Sequence, residues 1–570
     1  MLNKGKAHLA GKKLVIYAVL TLATLAVYRQ VSQFGFMNFD DNFLVFENSH
    51  IRSGFTFEAL RWAFTTNHAD LWNPFLWLSY MADYQLYGLN AGGYHITNLI
   101  LHILSALMLF GFFDRVTKAL WPSAFVAAVF ALHPLHVESV AWVTERKDVL
   151  SAFFWMLTLC LYARYAQKPD AKRYWLVLAG LFCALMSKAM AVTLPAVMIL
   201  LDYWPLGRFD ARKGNRILWQ MKEKAPFFIL AAAFAAIAFY VQYFMPSTRL
   251  VKSALLPLDY RLINAGVSFA AYLEKTFWPL GMAVFYPFPV SFTAQQMIVS
   301  FTLISVVSVV VLIKAKRAPY LLTGWLWFVI TILPVIKIVQ IGNDAMADRY
   351  HYLPSIGISV MVAWGVSALF KSESAGKYIL LPSAIAAVAM LAVLTWHQCG
   401  YWRDSVTLFS RALAVTKNNH VAHGQLGQAL LEQGKNEEAV VHFDEALRLS
   451  PDYPEVYNQR GAAFIALGQY QKAIDDFGEN MRLMPEDSNP YNNRGYVHIK
   501  LGKYQLALAD FNKAIELNPD DAHAYVNRAF IYLNGGDTVS GCRDARRACE
   551  LGNCMSLQQA QAKGFCQNAR

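Results

Sequence analysis

The sequence predicts an all-α protein built from a polytopic bundle of membrane helices followed by a superhelix of short helical repeats. Three observations carry this reading. Of 570 residues, 56% are hydrophobic and only 16% charged, whereas soluble domains run near about 25% charged. Apolar runs approaching the roughly 20 residues that a bilayer crossing needs recur up to residue 400. Beyond residue 400 they stop, and a fixed 34-residue period takes over. The expected division is therefore residues 1–400 and residues 401–570.

The apolar runs lie at 14–34, 95–113, 121–140, 148–166, 174–189, 190–206, 226–245, 299–314, 319–340, 352–370 and 378–399, about eleven spans in all. Lys4, Lys6, Lys12 and Lys13 precede the first, which reads as an uncleaved helix because so many spans follow. Residues 262–285 are interrupted by Glu274, Lys275 and Pro279 and read as re-entrant or interfacial. Basic loops orient such bundles. Arg164, Lys168, Lys172 and Arg173, the stretch 208–224, and Lys314, Lys316 and Arg317 should face the cytoplasm. The loops at 35–94, 134–147, 246–261 and 341–351 then fall outside, and an odd span count puts everything after Gly400 outside as well. The formal charge agrees: residues 401–570 sum to −2, so the first 400 carry +14 of the +12 total. No basic face of a soluble domain is visible, which excludes nucleic acid as a partner.

The second part declares itself by spacing. Pro451, Pro485 and Pro519 stand 34 residues apart, as do Gly434, Gly468, Gly502 and Gly536, and Tyr457, Tyr491 and Tyr525. Small residues Ala439, Ala473, Ala507 and Gly541 keep the same register. This is the tetratricopeptide period, two antiparallel helices per repeat stacked into a superhelix. Full repeats are expected at 420–453, 454–487, 488–521 and 522–555, with a further second-type helix at 401–417. The concave face of such an array suits an extended polypeptide. Cys542, Cys549, Cys554 and Cys566 crowd the end of the chain, and on an exported domain an even cluster predicts disulfides, with three connectivities open. Cys160, Cys183 and Cys399 read as apolar packing residues.

Candidate chemistry gathers in the outer loops. Asp40 and Asp41 follow the first span, where adjacent carboxylates are costly unless solvated, paired or used. His95, Asn98 and His102 share one face of the second span. His133, His136, Glu138, Glu145, Arg146, Lys147 and Asp148 crowd the next outer segment, Lys188 joins two spans, and Asp348, Arg349 and Tyr350 lie in the last outer loop. Carboxylates can take a proton from a hydroxyl, and cations can hold a phosphate leaving group. Together they suit transfer of a group from a lipid-linked phosphate. A structural salt-bridge network is the competing account. Two adjacent carboxylates leave a divalent cation open.

The segments FDDNFLVFEN, GGYHITNLILH, HPLHVESVAWVTERKDVLS, SKAMAVTLP, DYWPLGRF and ADRYHYLPSIG, followed by the repeats, resemble the transmembrane and tetratricopeptide-repeat O-mannosyltransferases and their bacterial relatives, of the GT-C glycosyltransferase superfamily. The resemblance runs over essentially the whole chain. It implies an enzyme that moves a sugar from a polyprenyl-phosphate carrier to Ser/Thr hydroxyls of a polypeptide gathered by the repeats. It also implies a bacterial inner membrane with periplasmic repeats, or an endoplasmic reticulum membrane with luminal repeats. By this analogy Asp40 is the base and Asp41 a supporting acceptor. Arg146, Lys188 and Arg349 face the carrier phosphate, while Glu138, Asp348, Tyr350, His95 and His136 line the substrate site. Many relatives read Tyr-Arg-Pro-Leu in the first loop where this chain has Trp72-Asn73-Pro74-Phe75, so one phosphate-directed cation is missing. The rival readings are a glycan or lipid acceptor, and a membrane-anchored scaffold without catalysis.

Overall fold

The computed structural model describes residues 2–70, 72–209, 216–244, 256–340, 342–370, 374 and 376–566. The expected outer loop at 246–261 and the basic stretch 208–224 therefore fall partly outside the described residues. The chain forms two compact units, which meet in sequence between Lys417 and Asn418. The fold is all-α: among the described residues the strands are Tyr286–Pro287 and Asp344–Met346, one short antiparallel pair.

In the first unit, six helical stretches are long and apolar enough to cross a membrane: His8–Gln33, Ala91–Thr117, Val143–Gln167, Leu218–Phe244, Ala294–Lys314 and Tyr378–Gly400. A bent pair, Leu120–Leu132 with Pro134–Ala141, makes a seventh if taken as one span. His133-Pro134 causes the bend, because a proline disfavours the helical conformation of the residue before it; His133 is extended at ψ 132. Three further expected spans coincide with shorter apolar helices at Ala189–Tyr203, Pro319–Val335 and Ser355–Leu369, and another with the 17-residue helix Ala171–Ser187. Six or seven long spans thus stand where about eleven crossings were expected, because several apolar runs end early at a turn. The Leu258–Phe277 helix is not among the long apolar ones.

Outward faces of these helices carry Leu14, Leu22 and Ile313, all strongly exposed, which is how a helix meets lipid rather than water. Inside, Trp77, Tyr80 and Tyr94 anchor one apolar cluster, and Phe269, Tyr272, Trp325 and Phe328 another. Gly324 and Gly357 let two helices touch: a Cβ on Gly357 would lie 2.3 Å from the Gly324 carbonyl oxygen. The segment after the last span, with its helix Ser405–Val415, belongs to this unit.

The second unit contains the four expected repeats, with helix pairs His420–Glu432 and Asn436–Leu449, Pro454–Ala466 and Tyr470–Leu483, Asn489–Lys500 and Tyr504–Leu517, and Ala522–Asn534 and Thr538–Glu550. Gly434, Gly468, Gly502 and Gly536 turn each pair at positive φ, which explains their period. A second periodic pair went unread in the sequence. Phe443, Phe477 and Phe511 are fully buried, each against a glycine of its own repeat: Gly427, Gly461 and Gly495. A Cβ at those glycines would come within 2.6–2.8 Å of the ring. In the fourth repeat both partners are alanine, Ala529 and Ala545, both fully buried. Arg460, Arg494 and Arg528 each fork onto an aspartate of the second helix, Asp476, Asp510 and Asp544, at 2.7–3.0 Å.

The terminal cysteines pair as Cys542–Cys566 and Cys549–Cys554, which selects one of the three connectivities. Cys160, Cys183 and Cys399 are free. Alkylation of the denatured, unreduced protein should therefore label three thiols, and all seven after reduction. Peptide mapping should recover 542 linked to 566 and 549 linked to 554; four labelled thiols in the terminal segment before reduction would contradict the pairing.

Candidate functional site

Four separated stretches of the first unit meet at one end of its bundle. Asp41 ties the first two together. Its fully buried carboxylate accepts hydrogen bonds from the Met37 amide at 2.8 Å, the Thr144 amide at 3.0 Å and the Thr144 hydroxyl. Burial raises its carboxyl to about 7, with the three donors pulling the other way. Phe39 stacks on Trp142 at 5.2 Å, and the Trp142 indole donates to the Phe39 carbonyl at 3.1 Å. The segment after the last span closes the same loop: Asn38 donates to the Ser405 hydroxyl at 3.0 Å, Phe39 meets Phe409 edge-on, and Trp142 lies against Trp402.

Between these anchors Asp40 takes a left-handed conformation, φ 70, a strained choice outside glycine, although Asp is among the residues that tolerate it. Among the described residues nothing hydrogen-bonds to its carboxylate, and it is half-buried. Burial raises its pKa, Lys147 and Arg349 lower it, and Glu145 adds to the rise. Asp40 is thus an unengaged carboxylate looking onto a set of cations, while its neighbour is fully committed to holding the loop.

The cations converge on Glu145, which is buried. Lys147 approaches it at 3.0 Å, Arg349 Nε at 3.3 Å and Lys188 at 3.8 Å. Lys188 also pairs with Asp148, whose other oxygen accepts from Ser139 at 3.0 Å. Arg349 pairs with Glu138 through its guanidinium and, at 3.0 Å, through its backbone amide. Its guanidinium also lies over Trp142 and Tyr350. Asp348 accepts from the Tyr286 hydroxyl at 2.9 and 3.0 Å, and burial, opposed mainly by Lys275, raises its carboxyl to about 6. Tyr350 accepts from Lys337 at 3.3 Å, and Lys337 is anchored on Asp344 at 2.9 Å.

Of the residues expected from sequence, Asp40, Glu138, Lys188, Asp348, Arg349 and Tyr350 come together here. Arg146 does not join them. Its side chain is completely buried on the other side of the helix start, paired with Asp83 at 2.6 Å, the Tyr94 carbonyl at 2.8 Å and Asn98. His95 bonds the Gly35 carbonyl at 3.2 Å and His136 the Phe130 carbonyl at 2.7 Å, both fully buried. Glu145, Lys147 and Asp148 were visible in sequence only as part of a charged run, and Lys337 and Tyr286 were not singled out. Among the described residues no group of three or more His, Cys, Asp and Glu is arranged to hold a metal ion. The DYWPLGRF segment lies with the far end of the Arg146–Gln167 helix: Asp202 accepts from Tyr162, from Gln220 at 2.8 Å and from Lys224 at 2.9 Å, and Arg208 pairs with Glu223 at 2.8 Å. Among the described residues its two carboxylates and two cations balance, and it reads as a structural clasp.

Comparison with known proteins agrees with both units. A TPR repeat family model matches residues 427–468, and tetratricopeptide repeat models match 488–521 and 511–542. Protein O-mannosyl-transferase TMTC1 of Homo sapiens is 24% identical over 481 residues, 75% of this chain and 54% of that protein. Protein O-mannosyl-transferase TMTC4 of Homo sapiens is 26% identical over 440 residues, 67% of this chain and 58% of that one. Protein O-mannosyl-transferase Tmtc3 of Drosophila melanogaster is 24% identical over 453 residues, 65% and 47%. The chain spans about half the length of the curated relatives it matches. Among solved structures, the crystal structure of MamA is 21% identical and covers 28% of this chain and 89% of its own, with a TM-score of 0.24. With apolar helices long enough to cross a membrane in one unit and repeats in the other, the chain is an integral membrane protein similar to the TMTC O-mannosyl-transferases with tetratricopeptide repeats.

Proposed function

We propose that the chain is a GT-C-type membrane glycosyltransferase that moves a sugar, mannose by analogy with its relatives' names, from a polyprenyl-phosphate carrier to Ser/Thr hydroxyls of an exported polypeptide. The observation that carries this reading is the unengaged Asp40 carboxylate within the field of Lys147 and Arg349, which share Glu145 with Lys188. In an inverting single displacement, Asp40 takes the proton of the acceptor hydroxyl. The hydroxyl oxygen bonds to the anomeric carbon, and the bond from that carbon to the carrier phosphate breaks. The electron pair leaves with the phosphate, which Arg349, Lys147 and Lys188 hold by charge-assisted hydrogen bonds. Lys147 here takes the place expected of Arg146, whose guanidinium is enclosed. The repeat unit gathers the acceptor, with the first unit, up to Lys417, as the transferase part and the repeats on the periplasmic or luminal side. A reconstituted assay with a panel of polyprenyl-phosphate sugars and a peptide library tests the reading. Transfer from none of them would refute it.

Asp40→Asn should lower turnover by about 10²–10⁴-fold, the usual worth of a general base, with donor binding and thermal stability preserved. Near-normal turnover would move the base elsewhere. Because burial raises the Asp40 pKa and the ionised form is the working one, turnover should fall as pH drops, with its midpoint above the ordinary Asp value. Asp41→Ala should instead unfold the loop, at about 1–3 kcal/mol for each buried donor left unpaired, read as a lowered melting temperature. Arg349→Ala should weaken the donor far more than the acceptor peptide. Equal losses in titrations of both would make Arg349 structural.

A further inference from the structure

At the opposite end of the Arg146–Gln167 helix from Asp40 lies a cleft of about 560 Å³, whose charged lining is Arg115, Arg164, Lys168, Asp170, Lys172 and Arg173. Arg164 is 18 residues beyond Arg146, so the cleft is ~27 Å along the helix axis from the site described above. Five of its side chains are cationic and one is acidic. Asp170 is already used: it accepts from the Arg173 amide at 2.8 Å, capping the Ala171–Ser187 helix, and pairs with the Arg173 guanidinium at 3.2 Å. Nearby Asp114 is taken by Lys13 at 2.6 Å. Arg115 donates to the neutral Gln167 amide oxygen, at 2.8 and 3.1 Å. Among the described residues Arg115, Arg164, Lys168 and Lys172 therefore have no carboxylate partner.

Its location argues for one kind of occupant. Two of the long apolar stretches, Ala91–Thr117 and Val143–Gln167, end at this cleft. Arg115 and Arg164 thus sit in the last turn of their spans, at the depth of lipid headgroups. Leu161 and the exposed Leu176 add apolar surface to the lining, and exposed Trp175 next in sequence is an aromatic of the kind that sits at a bilayer interface. Unpaired cations above an apolar wall match a phosphodiester attached to acyl chains better than a free anion, which has no use for the wall. We infer that this cleft is a binding site for the headgroup of an anionic phospholipid, with the phosphate held by Arg164, Lys168 and Lys172 beside Arg115, and an acyl chain along Leu161 and Leu176. Basic pockets between membrane helices are a recognised form of lipid site.

The test uses the full chain in detergent. Native mass spectrometry would follow retention of added phosphatidylglycerol against phosphatidylcholine, with and without millimolar inorganic phosphate. Phosphatidylglycerol should be retained preferentially, and retention should fall steeply between 0.15 and 1 M salt, because ionic attraction is screened. Each cation near a charged headgroup is worth about a five-fold change in affinity. The Arg164→Ala/Lys168→Ala/Lys172→Ala variant should therefore bind about a hundred-fold more weakly. Equal retention of both lipids, or unchanged retention by the variant, would overturn the proposal. Full displacement by inorganic phosphate would overturn it too, since the cleft would then be a site for free anions. Were the variant to aggregate, the lipid and salt series on the unmodified chain would still decide.

Discussion

A carboxylate shut away from water has to be met by cations, and Glu145 draws three of them: Lys147 beside it and, from two distant stretches of chain, Lys188 between two apolar helices and Arg349 in the last loop before the Ser355–Leu369 helix. An isolated buried charge costs far more than one interaction returns, so such a group is stable only with several partners at once. The requirement runs both ways. Each of those cations, itself mostly buried, needs a carboxylate, and Arg349 and Lys188 recruit Glu138 and Asp148. The result is a cluster of paired charges at the end of a helix bundle, near the loop carrying Asp40.

That loop is held by a different device. Asp41, Thr144 and Met37 form a short hydrogen-bonded latch, backed by the stacked Phe39 and Trp142. Two neighbouring aspartates thereby acquire different duties. One is consumed in positioning, and the other is left without a donor and in a backbone conformation that a relaxed chain would avoid. Nothing in the dipeptide itself separates them. The distinction comes from which side of the turn faces Thr144.

The repeat unit was almost entirely legible in the sequence, because each feature of the period has a local cause: glycine where φ is positive, proline just past a helix end, small residues where helices approach. The bundle was legible only in part. Apolar runs announce membrane helices, yet hydropathy does not say where a helix stops, and segments such as 190–206 and 352–370 are shorter helices than their apolar runs implied. In the Glu145-Arg146-Lys147 run, adjacent charges read alike, but successive residues at a helix start point in different directions. Arg146 turned inward to Asp83, and its two neighbours turned to the cation cluster. Tertiary pairing such as Glu138 with Arg349, 211 positions apart, has no local trace.

The ring-and-glycine pairs of the repeats bear on how such an array can be rearranged. In the first three repeats a phenyl ring on one helix fills the space left by a missing side chain on the other, and in the fourth both positions have become alanine. The two positions form one unit of volume. A recombination event that joined the first helix of the third repeat to the second helix of the fourth would bring Gly495 opposite Ala545 and leave a hole about the size of a ring. The reciprocal product would force Ala529 against Phe511. Holes and overlaps of this kind each cost a core several kcal/mol. Crossovers between repeats preserve every pair, so duplication, loss and shuffling of this array should proceed in whole repeats, with the seams at the boundaries between them.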